Sequence, residues 1–178
     1  MDFKITFKNK QYDLCDDFID IGYMAENFEV TDTNGEKLEI LRSHSDGSMS
    51  LFISFPDISD DFSQEILKLD EFMSNIKVPI KCYFIFNKEL EDATEFNNKL
   101  KKFEMLLDSE DEFGNMYGTK IVTGDMEDKL TKAMFLISKD GAVFFLDMPN
   151  DLEKEFDLER LQIELNKAYV TYTGVGCH

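Results

Sequence analysis

Apolar residues in this chain fall into short runs of two kinds, and the stretch from Ser48 to Asn75 holds one of each. Leu51, Phe52, Ile53 and Phe55 are nearly continuous, which predicts a strand buried on both faces in the middle of a sheet. Pro56 stops that strand. Phe62, Ile66, Leu69 and Phe72 or Met73 then recur at helical spacing and predict an amphipathic helix with one face on the sheet. Between the two, Asp57, Ser59, Asp60 and Asp61 offer oxygens and negative charge to the free N–H groups of a helix start.

The same contrast orders the rest of the chain. Phe3, Ile5 and Phe7 alternate with polar residues, the Asn9 and Lys10 region can turn, and Tyr12 and Leu14 continue beyond it, so residues 1–15 read as a β-hairpin. Phe28 and Val30, then Leu38 and Ile40, alternate on either side of a turn at Asn34 and Gly35. Pro79 to Phe86 is a second strongly apolar strand. Phe96, Leu100 and Phe103 follow at helical spacing, and this alternation of strand and helix favours a largely parallel arrangement. Met105 to Leu107 fits either a short strand or the end of that helix, the strand being preferred, and Phe113 to Gly118 reads as a helical turn ended by glycine. Ala133 to Ile137 and Ala142 to Leu146 flank Asp140 and Gly141 as a hairpin. Leu158, Leu161, Ile163 and Leu165 belong to a final helix, and residues 171–178 form a loose tail. No repeat or linker interrupts this order, so the chain reads as one α/β domain.

Composition narrows the function. The 178 residues suffice for a substantial core, and a hydrophobic fraction of 43% with 17 phenylalanines argues for a packed globule. A net charge of −18 disfavours nucleic acid and anionic membrane surfaces as partners, since both need a basic footprint. No apolar run approaches the roughly 18 residues of a membrane span, and the N-terminal segment lacks a signal-peptide core, so a cytoplasmic location is expected. Cys15, Cys82 and Cys177 are too few and too scattered for a disulfide framework or a zinc site.

The words and their order resemble the thiol peroxidase subfamily of the peroxiredoxins from Ile5 to about Ala168. FKNKQYDL resembles that subfamily's added N-terminal hairpin, and IDIGYMAENFEVTDTNGE the segment after it. FPDISDDFSQEI falls where the family carries its Pro-x-x-x-Thr-x-x-Cys motif, and FGNMYGTKI and KLTKAMFLISKDGAVFFLDM resemble two later family words. The resemblance implies a thioredoxin-like fold, a central mixed β-sheet flanked by helices with the extra hairpin. It also implies a homodimer and, for an active member, a thioredoxin-type reductant.

On that alignment the chemistry departs from the family. Pro56 matches the motif proline, but Asp60 stands at the threonine position, Ser63 at the peroxidatic cysteine position and Lys132 at the arginine position. A thiolate at a helix start can attack a peroxide; a serine hydroxyl stays protonated and has no sulfenic acid chemistry. A carboxylate at position 60 opposes any thiolate nearby, and Lys132 lacks the two-pronged donor geometry of a guanidinium. An Asp60 and Lys132 ion pair is expected to fill the pocket. Asn97 and Asn98 occupy the region of the resolving cysteine.

The three cysteines are the alternative. Cys82 reads as a small buried hydrophobe. Cys15 sits beside Asp16 and Asp17, which disfavour a thiolate, and Cys177 lies in the tail next to His178. The acidic run Asp108 to Glu112 lacks the spacing of a calcium loop. His44 and His178 are too far apart for a metal site, and no cofactor motif occurs. Two functions follow: a catalytically degenerate thiol peroxidase-like protein acting by binding, or a thiol-dependent peroxidase with its reactive sulfur relocated to Cys15, Cys82 or Cys177.

Overall fold

The computed structural model describes residues 3–16 and 18–171. Among these residues nine strands and four α-helices follow in order: β1 (Lys4–Phe7), β2 (Lys10–Asp13), β3 (Phe28–Asp32), β4 (Lys37–Ile40), β5 (Met49–Ser54), α1 (Ser63–Ser74), β6 (Ile80–Phe86), α2 (Ala93–Asn97), β7 (Glu104–Leu107), α3 (Glu112–Met116), β8 (Ala133–Ile137), β9 (Val143–Asp147) and α4 (Leu158–Thr171). β1 and β2 make a separate antiparallel pair, and the other seven form one sheet in the order β4-β3-β7-β6-β5-β8-β9. The sheet is mixed. Only β5–β6 and β6–β7 run parallel, so the alternation of strand and helix describes the centre and not the flanks.

β5 is interior and buried at every position, as a continuous apolar run requires. Its side chains divide between two cores. Leu51, Ile53 and Phe55 join α1, α4 and the hairpin on one face, while Phe52 joins Phe28, Phe113, Tyr117 and Phe135 on the other. α1 contributes Phe62, Ile66, Leu69 and Met73 to the first core, each worth roughly 1.5–3 kcal/mol of burial.

Four local expectations are corrected. The first hairpin turns at Lys8 and Asn9, not Asn9 and Lys10; both have positive φ, +50° and +67°, the geometry whose twist matches a two-residue hairpin. No side chain caps α1. Asp57 instead accepts the Ser59 N–H (2.9 Å), and the Ser59 carbonyl takes the N–H groups of Phe62 (2.9 Å) and Ser63 (2.8 Å).

The helix expected to reach Phe103 ends at Asn97. Asp70, buried on α1, explains this: its carboxylate accepts the backbone N–H groups of Lys101 (2.8 Å), Lys102 (2.9 Å) and Phe103 (2.9 Å), which holds that segment out of a helix. Phe103 stacks on Phe84 at 3.8 Å between ring centroids. In α4 the core face is Leu161, Leu165 and Ala168, and Ile163 is 49% exposed. The tail expected over residues 171–178 begins on the last residue of α4, and its remainder lies outside the described residues.

Candidate functional site

The junction between β5 and α1 is built from both ends. Ser54 closes β5 by donating its hydroxyl to the Thr131 carbonyl (2.7 Å), which ties the strand end to the approach to β8. Phe55 and Pro56 are buried behind it. The chain then loops through Asp57 to Phe62 and places Ser63 as the first, half-buried residue of α1.

Such a helix start can hold an anion when its first N–H groups are free. Here the N–H of Ser63 is already engaged by the Ser59 carbonyl. The tip of the first hairpin also lies against the junction, with Phe7 stacked on Phe62 at 5.4 Å and Lys8 bonded to Asp61 at 3.0 Å.

Asp57 meets Lys129 at 3.0 Å. Burial opposes the Asp57 charge, but the hydrogen bonds from Ser59 and Lys129 outweigh it and hold the carboxyl below its ordinary range. Asp57 and Lys129 form one wall of a cavity of about 320 Å³ that also borders Phe7, Tyr12 and Asp125, and neither Ser63 nor Lys132 lines it. A larger cavity, about 540 Å³, is lined by Phe3, Ile5, Leu14, Phe18, Leu146 and Met148 and includes no candidate residue.

Lys132 is fully buried, and its direction corrects an expectation. It forms its ion pair with Glu65 and not with Asp60, which is exposed on the loop. The ammonium also donates to the Lys154 carbonyl (2.5 Å) and lies 5.0 Å from the Phe156 ring and 5.6 Å from the Phe55 ring. The second carboxylate oxygen of Glu65 accepts the Phe156 N–H at 2.7 Å. The cation that a thiolate would need is spent on a neighbouring carboxylate, in a closed box of two phenylalanines.

Glu65 is the residue that reading the sequence missed, and its signal was legible. It lies at i, i+4 and i+7 with Leu69 and Phe72, a charged side chain on the apolar stripe of an amphipathic helix. Asp70 carries the same signal one residue after Leu69.

The cysteines lie elsewhere. Cys82 sits in β6, and burial pushes its thiol up to about 12, with Lys102 opposing the shift weakly. Cys15 follows β2, half-buried, and donates to the Gly114 carbonyl at 3.4 Å. Cys177 lies outside the described residues. Asn97, at the resolving-cysteine region, accepts the Met105 N–H at 3.0 Å and so ends α2 on β7. His44 bonds Ser50 at 2.7 Å near the start of β5, the opposite end of that strand from Ser63. Among the described residues no group of three or more His, Cys, Asp or Glu side chains is arranged to hold a metal ion.

Comparison with solved structures identifies the architecture. A peroxiredoxin-like protein from Aquifex aeolicus superposes with a TM-score of 0.82 at 16% identity, covering 93% of this chain and 97% of its own. A thiol peroxidase from Chromobacterium violaceum gives 0.82 at 15% identity with the same coverage. The chain has the peroxiredoxin fold. AhpC from Enterococcus faecalis matches less closely, with a TM-score of 0.66 at 19% identity over 85% of this chain and 93% of its own. No protein-family model and no curated protein sequence matches the chain. Within the peroxiredoxin fold, the β5–α1 junction and the start of β8 are thus occupied by Ser63 and by a lysine bound to Glu65.

Proposed function

We propose that this chain is a catalytically degenerate protein of the peroxiredoxin fold that acts by binding, as a homodimer in the cytoplasm. One observation carries the reading: Lys132 is committed to Glu65 and walled in by Phe55 and Phe156, beside a helix start that presents a serine. A neutral hydroxyl whose neighbouring Lys132 is held by Glu65, with His44 at the opposite end of β5, has neither peroxidase nor hydrolase chemistry.

The relocated-cysteine alternative gains little support. Peroxide attack needs a thiolate, and a thiol pushed up to about 12 supplies almost none at neutral pH. Cys15 gives its S–H to the Gly114 carbonyl, which holds the proton on sulfur. Under that alternative a thioredoxin-type reductant joins the partners; under the favoured reading it does not. The charge of −18 points away from nucleic acid and anionic lipid in either case.

The test is chemical trapping. The reduced protein is exposed to hydrogen peroxide and to an organic hydroperoxide with a sulfenic-acid trap present, and each cysteine is scored by mass spectrometry. Slow, substoichiometric trapping supports the reading. Rapid, stoichiometric trapping at Cys15, Cys82 or Cys177 establishes the relocated peroxidase in its place.

A further inference from the structure

The seven-stranded sheet ends on β4, and among the described residues no strand covers its outer side. The phase of the open edge can be derived. Asp32 donates its N–H to the Glu36 carbonyl (2.9 Å), and the antiparallel register continues Thr31↔Lys37, Val30↔Leu38, Glu29↔Glu39 and Phe28↔Ile40. Hydrogen-bonded pairs alternate along such a ladder, so Glu36, Leu38 and Ile40 bond inward to β3. The N–H and C=O groups of Lys37 and Glu39 therefore point out of the sheet. These are the groups a further strand would take.

We propose that this edge pairs antiparallel with the β4 of a second copy of the chain, about a two-fold axis through Leu38, with each Lys37 opposite the other copy's Glu39. The inference rests on the homodimer reading above and assigns its surface. Three registers bring outward-pointing groups together. Centring on Lys37 sets lysine against lysine, and centring on Glu39 sets glutamate against glutamate. Only the register centred on Leu38 sets opposite charges together at both ends, and like charges directly opposite are destabilising.

A defect in the single copy favours the same register. Glu29 and Glu39 are directly opposite across β3 and β4, both exposed, a like-charge pair within one sheet. Pairing brings the other copy's Lys37 to the far side of Glu39 on that face and offsets the repulsion. Lys37 makes an exposed contact to Glu110 at 3.4 Å, with 73% of its side chain accessible, so little is lost on pairing. The half-buried Leu38 side chains meet at the axis on the core side. The charge of −18 on each copy opposes association over longer distances, and this is largely screened at about 0.15 M salt.

Sedimentation equilibrium of the full chain at that salt concentration tests the proposal. The wild type is expected to dimerise. Lys37→Glu and Glu39→Lys, both exposed changes, should each weaken the dimer roughly tenfold or more, because each replaces two opposite-charge pairs by two like-charge pairs. The double variant Lys37→Glu/Glu39→Lys restores the alternation and should return to within a few fold of wild type. A wild type that stays monomeric overturns both the homodimer and the edge. A dimer equally strong in all three variants overturns the edge and leaves the homodimer standing on another surface.

Discussion

Lys132 and Glu65 form a buried ion pair that joins the approach to β8 to the first turn of α1, with both carboxylate oxygens of Glu65 occupied. Removing one partner leaves the other charge buried and unpaired, which typically costs about 3–5 kcal/mol. Glu65→Ala is therefore expected to lower the stability of the chain by that amount in chemical denaturation. Glu65→Leu combined with Lys132→Met, which fills the box with apolar groups, should lose much less. A single change costing under about 1 kcal/mol would show that the pair is not sealed from water.

Placing a thiol at position 63 tests whether the junction still activates one. The Ser63→Cys thiol is expected to titrate at or above the ordinary cysteine value of about 8.5, because Lys132 is held by Glu65. Ultraviolet absorbance of the thiolate against pH, taken as the difference from the parent, reads it directly. A value below about 7 would contradict this account of the cation. Adding Asp60→Thr should shift it little, since Asp60 is exposed and screened.

Asp108 supplies a pH dependence of unusual sign. Burial pushes its carboxyl up to about 6, against the N–H groups of Gly114 (2.8 Å) and Phe113 (3.0 Å), which it accepts at the start of α3. The folded chain thus holds this proton to about pH 6 and the unfolded chain only to about 3.9. Stability from this group is complete at low pH and is lost as pH rises from about 4 to 6, by up to about 3 kcal/mol. Asp108→Asn is expected to remove that slope from denaturation curves across the same window. Identical slopes in wild type and variant would contradict the assignment.

Burial of Cys82 makes a kinetic prediction. In the native chain at mildly alkaline pH, iodoacetamide should leave Cys82 unmodified while Cys15 reacts slowly, and unfolding should expose Cys82 to the full rate. Peptide mass spectrometry separates the sites. Native labelling of Cys82 at the rate of a free thiol would contradict its place in the core.

The sequence carried the parts of this fold that rest on periodicity. β5, α1, β6 and the hairpin across Asp140 and Gly141 are where apolar spacing and turn residues place them, and Gly141 has φ +90° as that turn demands. What periodicity could not show were the long-range carboxylates. Asp70 ends the helix expected beyond Ala93 from thirty-one or more residues away, by taking three backbone N–H groups that local spacing assigns to a helix. Glu65 is a second long-range carboxylate, at the candidate site, where the family resemblance suggested Asp60 as the partner of Lys132. Both lie on the buried face of α1, and a charge there needs a partner that only the folded chain supplies.

The measurement that bears most directly on the central claim is steady-state consumption of hydrogen peroxide and an organic hydroperoxide by the reduced protein with a thiol reductant. The account predicts a rate no greater than that of an equal concentration of free cysteine, unchanged when Cys15, Cys82 or Cys177 is replaced by serine. Rapid turnover that disappears with one of those replacements would contradict it.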